Sequence, residues 1–198
     1  IRGDDINLIN EIILTRIVKE IIKLNEAGKE ILLVSSGALA LGKKSLKLKK
    51  NNLKVSEKQA ASSVGQVLLI NAWKKAFLKY KKQCGQILLT HLDAEIRSSA
   101  INARNTIESL LKLNSIPIIN ENDSVATQEL RYGDNDQLAA RVAQITSSNL
   151  LIILSDVDGF YTSNPKKRSD ALLIKYIKRI TKSIEKQAEN TSSSIAVG

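Results

Sequence analysis

The residues with the clearest chemical potential lie between positions 120 and 136. This segment combines carboxylates with side-chain amides, which are Asn120, Glu121, Asn122, Asp123, Glu129, Asp134, Asn135 and Asp136. Such an array suits either a ligand that carries an ammonium group or a metal–phosphate complex. One of the last three residues is expected to cap the helix that starts there, but capping explains only one of them. The segment therefore predicts a binding site.

A second polar group, Ser35-Ser36-Gly37-Ala38, follows a short aliphatic run and precedes a helical pattern. Gly37 and Gly42 have the spacing of a phosphate-binding loop, but Lys44 stands where that motif needs a magnesium-binding hydroxyl. The alternative is an anion cradle, made by Ser36 and the next two backbone amides at the start of a helix. We favour the cradle, since it needs no lysine from this loop.

A third group follows another aliphatic run. Ser155 and Asp156 stand at the end of a predicted strand, where ligands of parallel sheets bind, and Tyr161 offers a flat face to a nucleotide base. A structural turn explains Gly159 and Pro165 equally well. A functional role is therefore expected only at the strand end and at the tyrosine.

The single histidine and the single cysteine are expected to have no catalytic role. His91 has no second His or Cys with which to build a zinc site, and no Ser–His–Asp spacing is present. Cys84 stands at the start of a predicted strand and is expected to fill space in the core.

Elements that could position these groups alternate along the chain. Four short aliphatic runs predict strands that are buried on both faces of a parallel sheet: Ile31–Val34, Gln86–Leu89, Ile116–Ile119 and Leu150–Leu154. Helical patterns cover 6–25, which stops at Gly28, then 98–113 and 136–146, and we expect two helices within 55–80, broken near Gly65 or Asn71. The order predicts an α/β fold, an αβα sandwich with a mainly parallel central sheet, in one domain.

Composition excludes several classes of protein. Of 198 residues, 43% are hydrophobic and 25% are charged, as in globular proteins, and no apolar run reaches the roughly 18–20 residues of a membrane span. The net charge of +10 comes from lysines dispersed at helical spacing, and aromatic residues that could stack on bases are few, so we expect no nucleic-acid partner. A single cysteine fits a cytoplasmic protein.

Several segments are similar to one enzyme family in the same order along the chain. They include Val34–Ala38, Ala60–Gln66, Asn102–Thr106, Pro117–Asp123 and Gly133–Asp136. With these segments the chain resembles the amino acid kinase family, most closely its glutamate kinase branch. The resemblance implies ATP-dependent phosphorylation of the side-chain carboxylate of L-glutamate, with Mg²⁺, as the first step of proline biosynthesis.

The resemblance also implies roles for the polar groups. The residues matched to the substrate site are Ser36, Gly37, Asn120, Asp123, Asp134 and Asn135. Asp136 matches a catalytic aspartate that orients the catalytic lysines of the family. The residues matched to the nucleotide site are Ser155, Asp156 and Tyr161. The loop around Glu129 matches the one through which proline acts as a feedback inhibitor, and family members are commonly homo-oligomers.

The chain departs from the family pattern in two ways. Family members begin with a strand ending in Lys-Leu-Gly-Ser/Thr and continue into a Gly-Thr-Gly-Gly-Met segment with a second lysine, so we expect residues 1–198 to be a kinase domain without its N-terminal strand and C-terminal part. Asn164 replaces the usual aspartate of a Tyr-Thr-x-Asp-Pro motif. Two alternatives follow: a non-catalytic module that senses an amino acid or a nucleotide, or another member of the family.

Overall fold

A parallel three-stranded sheet organises the first part of the chain. Its strands are β1 (Leu33–Val34), β2 (Gln83–Leu89) and β3 (Ser115–Glu121), in the spatial order β1-β3-β2. Both neighbours run parallel to β3, with Leu33 and Gln86 paired to Ile118 from opposite sides. All seven residues of β3 are buried, as expected for a central strand that is covered on both faces. Three of the four predicted strands and their parallel pairing are confirmed.

The computed structural model describes residues 9–49, 52–125, 135–155, 158–165 and 168–189. The described residues form two compact units, one ending at Leu151 and the other beginning at Ile152. Each unit is described separately below. That residues 1–198 form one domain stays a prediction.

The described residues of the first unit form six helices, which cover the sheet: α1 (Glu11–Glu26), α2 (Ala38–Ser45), α3 (Val55–Leu78), α4 (His91–Glu95), α5 (Arg97–Lys112) and α6 (Asn135–Ile145). Ile116 and Ile118 of β3 belong to a hydrophobic cluster with α1, α2 and α3, whereas Ile119 belongs to a second cluster with α5 and α6. Because successive side chains of a strand point to opposite faces, one strand contributes to both clusters. The predicted αβα arrangement is confirmed.

Helix α3 corrects one prediction, since it is a single helix of 24 residues where we expected a break near Gly65 or Asn71. Gly65 is needed for packing. A Cβ atom there would lie 1.7 Å from the Ala38 carbonyl oxygen, and one at Gly42 would lie 1.7 Å from the Ala61 carbonyl oxygen. The backbones of α2 and α3 therefore touch directly, which only glycine permits at these two positions.

The structure differs from the prediction at the fourth aliphatic run. Leu150–Leu154 was expected to be a strand, but the structure assigns it none, and Leu150 and Leu154 are 73% and 72% exposed. A strand requires a hydrogen-bonding neighbour, and no strand of the described residues pairs with this run. The second unit contains an antiparallel ribbon of β4 (Phe160–Tyr161) and β5 (Leu173–Ile174), followed by α7 (Lys182–Glu189).

The close contact between α2 and α3 predicts that a glycine-to-alanine substitution within α3 destabilises the protein, which is the opposite of its usual effect in a helix. Gly→Ala in a helix interior ordinarily stabilises the helix by about 0.5–1 kcal/mol. We expect Gly65→Ala to lower the free energy of unfolding by about 3 kcal/mol or more, because backbone atoms would have to separate. Urea unfolding followed by circular dichroism measures the change. Ser63→Ala, at an exposed position of the same helix, should change stability by less than about 0.5 kcal/mol. A more stable Gly65→Ala variant would contradict the packing role.

Candidate functional site

The candidate site is built where β1 and β3 end. Because these neighbouring strands are parallel, their carboxyl ends lie at the same edge of the sheet. The Ser35 amide donates to the Ile119 carbonyl at 2.9 Å, which carries the pairing one residue past β1. Residues 35–37 and the residues after β3 are therefore brought together, as the sequence predicted.

The loop after β1 leads directly into α2. Gly37 has a φ angle of +106°, which side-chain-bearing residues rarely adopt, and α2 begins at the next residue. The first amides of α2 have no partner within the helix and can bind an anion. The phosphate-loop interpretation is wrong, because Gly42 and Lys43 lie within α2 and cannot wrap around a phosphate.

A chain of side-chain amides links four elements behind this loop. Asn135, at the start of α6, donates through Nδ2 to the Ser35 carbonyl at 2.8 Å and to Asn120 Oδ1 at 2.9 Å. Asn120, on β3, in turn donates through its Nδ2 to Gln66 Oε1 of α3 at 2.6 Å. We call Gln66, Asn120 and Asn135 the amide relay. It ties the start of α6 to the ends of β1 and β3.

One end of the relay is left open. Asn135 Oδ1 is buried and has no hydrogen-bond partner among the described residues. An unpaired buried acceptor costs roughly 1–3 kcal/mol. A ligand donor, such as an ammonium group, would remove that penalty.

A buried tryptophan fixes the loop from the core side. Trp73 of α3 donates through Nε1 to Ser35 Oγ at 2.9 Å, and its ring lies 6.2 Å from that of Phe77. Trp73 is only 6% exposed, so this bond is shielded from water. Ser35 is thereby held through its amide, carbonyl and hydroxyl groups.

Asp123 provides a carboxylate beside a pocket. It is half-buried in the loop after β3, and burial raises the pKa of its carboxyl group. The pocket has a volume of about 340 Å³ and lies between α3, β2 and this loop. Its polar lining includes Ser62, Gln66, Asn122 and Asp123. The space suits a small polar molecule.

The other predicted site residues are placed as follows. Ser36 is exposed beside Ser35, and Asp136 is exposed in the first turn of α6. Asp134, Glu129 and Asp156 lie outside the described residues. Ser155 and Tyr161 belong to the second unit, where Ser155 is exposed and the Tyr161 hydroxyl donates to Asp158 Oδ2 at 3.4 Å.

Sequence reasoning gave no role to Gln66 or Trp73. Gln66 lies four residues after Ser62, so both occupy one face of α3, and two polar residues on an inward face are the signal that could have identified it. Nothing in the pattern distinguishes Trp73 from an ordinary core residue. A hydrogen bond between residues 38 positions apart is visible only in the fold.

Other kinds of site find little support. Burial raises the pKa of Cys84, which packs at the edge of the core, as expected for a filler. The described residues contain no cluster of three or more His, Cys, Asp or Glu side chains that could hold a metal ion. Within the same residues, none of the helices has the length and apolar character needed to span a membrane.

Comparison with known proteins agrees with this geometry. The profile of the amino acid kinase family matches residues 3–195. The chain belongs to the amino acid kinase family. Among curated relatives, the glutamate 5-kinase of Pelagibacter ubique (strain HTCC1062) is 49% identical over 93% of this chain and 50% of its own length. Those of Nitrobacter winogradskyi and Bartonella henselae are 48% and 47% identical over 93% of this chain and 49% of their own lengths.

This member of the amino acid kinase family spans about half the length of the curated relatives it matches. The matched region includes the strand ends, the amide relay and the pocket. The site is therefore part of the family domain.

The hydrogen bond between Trp73 and Ser35 can be measured by a double-mutant cycle. Trp73→Phe removes the donor, and Ser35→Ala removes the acceptor while leaving the backbone groups of Ser35 in place. We expect a coupling of about 1 kcal/mol in urea unfolding, since a typical intramolecular hydrogen bond contributes that amount. A coupling near zero would show that the bond does not hold the loop.

The raised pKa of Asp123 predicts how stability depends on pH. The folded state binds this proton more tightly than the unfolded state, so the carboxyl group favours folding at low pH, and that contribution disappears as the pH rises through the raised pKa. We expect Asp123→Asn to be more stable than the wild type at pH 7, and the difference to vanish below the unperturbed value of about 3.9. Urea unfolding across pH 3–7 tests this, with Glu26→Gln, at an exposed carboxyl at the end of α1, as control. An Asp123→Asn protein that is less stable than the wild type at pH 7 would contradict the prediction.

Proposed function

We propose that this chain contains the substrate-binding core of an ATP-dependent glutamate 5-kinase, which forms L-glutamyl 5-phosphate in the first step of proline biosynthesis. The similarity to glutamate 5-kinases over 93% of the chain supports the substrate and the reaction. The observation that carries the proposal is the amide relay, which ends in a buried acceptor that an α-ammonium group can satisfy. The half-buried carboxylate of Asp123, three residues after Asn120, adds the negative charge that a cation requires.

The proposed reaction needs little chemistry from the protein. The side-chain carboxylate of glutamate has an unperturbed pKa of about 4.3 and is already an ionised nucleophile at pH 7. No general base is required, which agrees with a site built of amides and hydroxyls. The protein has to align this carboxylate with the γ-phosphate of ATP.

Each part of the site has a place in this proposal. Ser36, Gly37 and the first amides of α2 would hold the α-carboxylate, because the positive end of a helix favours an anion. Asp123 and Asn135 would hold the α-ammonium group. Asn120 would orient Asn135, and Asp134, which lies outside the described residues, is proposed as a further residue of the substrate site. These roles divide the two charges of an amino acid between two sides of one site.

The cofactors are ATP and Mg²⁺. Mg²⁺ usually keeps waters and phosphate oxygens as ligands and takes only one or two carboxylates from a protein, so it would bind mainly through the phosphates of ATP. When bound, the ion would neutralise charge on the phosphates.

Asp136 would orient catalytic lysines, and Ser155, Asp156 and Tyr161 would contact the nucleotide. Feedback inhibition by proline through the loop around Glu129, assembly into a homo-oligomer and a cytoplasmic location complete the proposal.

Loss of the Asp123 charge tests the site and the function together. We expect Asp123→Asn to lower kcat/KM for glutamate by about 100-fold, mainly through KM, because a half-buried charged hydrogen bond to the ammonium group contributes about 1.5–3 kcal/mol. The assay follows ATP-dependent formation of glutamyl phosphate, trapped as the hydroxamate, in the full-length protein.

Glu20→Gln makes the same carboxylate-to-amide change on the exposed face of α1 and should leave kcat/KM within about twofold. A wild-type protein that is inactive with glutamate but active with another amino acid would refute the proposed substrate. Full activity in Asp123→Asn would refute the site assignment alone.

A further inference from the structure

We propose that Gln66 is a positioning residue for the amino-acid substrate. It holds the amide of Asn120, and through it that of Asn135, in the one orientation that presents an oxygen to the ammonium group. The inference rests on the proposed function, because it requires a substrate that carries an α-ammonium group. Gln66 acts in it only through Asn120.

The direction of the amide relay is set at one end by a backbone carbonyl. The Ser35 carbonyl can only accept, so Asn135 has to turn its Nδ2 toward it. The second hydrogen of that nitrogen goes to Asn120, which therefore has to present Oδ1. The Nδ2 of Asn120 then points away from Asn135. Only one direction of donation along the relay, from Asn135 to Asn120 and from Asn120 to Gln66, allows all of these hydrogen bonds to form.

Gln66 provides the acceptor that this direction requires. Asn120 is 2% exposed, so its Nδ2 has little access to water. Gln66 Oε1 accepts from it at 2.6 Å. Without that oxygen, the Nδ2 group of Asn120 would be buried without a hydrogen-bond acceptor, at a penalty of roughly 1–3 kcal/mol. Turning the Asn120 amide over would escape this penalty only by placing its nitrogen against the nitrogen of Asn135.

The orientation of Asn135 decides which charge the site accepts. With Nδ2 held inward by Ser35 and Asn120, the buried Oδ1 remains as an acceptor without a partner among the described residues. An acceptor attracts the ammonium group of an amino acid. If Asn135 turned over, its amino group would face that cation and repel it. Gln66 therefore contributes to the discrimination between an amino acid and the same diacid without its amino group.

The position of Gln66 on α3 is itself fixed by packing. Its neighbour Gly65 lies against the backbone of α2, with room for no side chain. The same turn of α3 therefore fixes the position of the α2 N-terminus and places Gln66 within hydrogen-bonding distance of Asn120 on β3. The two charge-recognising parts of the site share one rigid support.

The test compares two ligands in the full-length protein by isothermal titration calorimetry. Glutamate carries the ammonium group and glutarate lacks it, while both carry the two carboxylates. We expect Gln66→Met, which keeps the shape but loses the acceptor, to weaken glutamate binding by about tenfold or more. Glutarate binding should change by less than about threefold. A wrongly turned Asn135 penalises only the ligand with the cation.

Two further variants sharpen the result. Gln66→Glu keeps an oxygen acceptor for Asn120 and should restore the preference for glutamate to within about threefold of the wild type. Gln83→Met makes the same change at an exposed residue at the start of β2 and should alter neither affinity. If Gln66→Met does not fold, Gln66→Leu removes the same oxygen with a different shape and replaces it in the comparison.

The outcomes separate this inference from the proposed function. If Gln66→Met weakens the binding of both ligands equally, or of neither, the positioning role is overturned. The proposed function of the wild-type protein is not affected by that result. A wild-type protein that neither binds nor phosphorylates glutamate would overturn the proposed function itself. Selective loss of glutamate with rescue by Gln66→Glu supports the inference.

Discussion

The direct backbone contact between α2 and α3 is the constraint on which the candidate site depends. Gly42 and Gly65 let the two helices approach until carbonyl oxygens occupy the space of a Cβ atom. This contact places the N-terminus of α2, where an anion can bind, next to the turn of α3 that carries Gln66. If α2 and α3 were farther apart, these groups would be separated as well, because the tightly packed protein interior could not move to close the gap. The site is therefore a consequence of how two helices pack.

The same region holds polar groups that reduce the stability of the free protein. Burial raises the pKa of Asp123, so its charged form is unfavourable until a cation arrives, and Asn135 Oδ1 is buried without a partner among the described residues. In the proposed function, both groups would be satisfied by the ammonium group of the amino acid. Their desolvation occurs during folding and so is already complete when the substrate binds, which is how a pre-organised site gains affinity.

The sequence predicted what depends on local pattern and missed what depends on contacts. Continuous aliphatic runs identified β2 and β3, although only β3 is buried on both faces, since Gln86 and Leu88 of β2 are exposed. The same pattern failed at Leu150–Leu154, where composition alone cannot supply a pairing partner. Gly65 was interpreted as a helix breaker because the close approach of α2 is not encoded near it. The sequence predicted Asn120 and Asn135 as site residues, but it gave no sign of the hydrogen bond that joins them.

The relay of this site is built of amides rather than of charged groups, and that choice has a physical reason. A charged residue at the position of Asn120 would need full compensation in a nearly dry environment, whereas an amide needs only its hydrogen bonds. Amides also carry a donor and an acceptor on one group, so fixing one end of a chain fixes the other. The Ser35 carbonyl, which cannot change its role, sets that direction at the strand end. Because none of these amides titrates, the relay adds no pH dependence of its own. The relay thus fixes the position of an acceptor, Asn135 Oδ1, without adding a charge of its own.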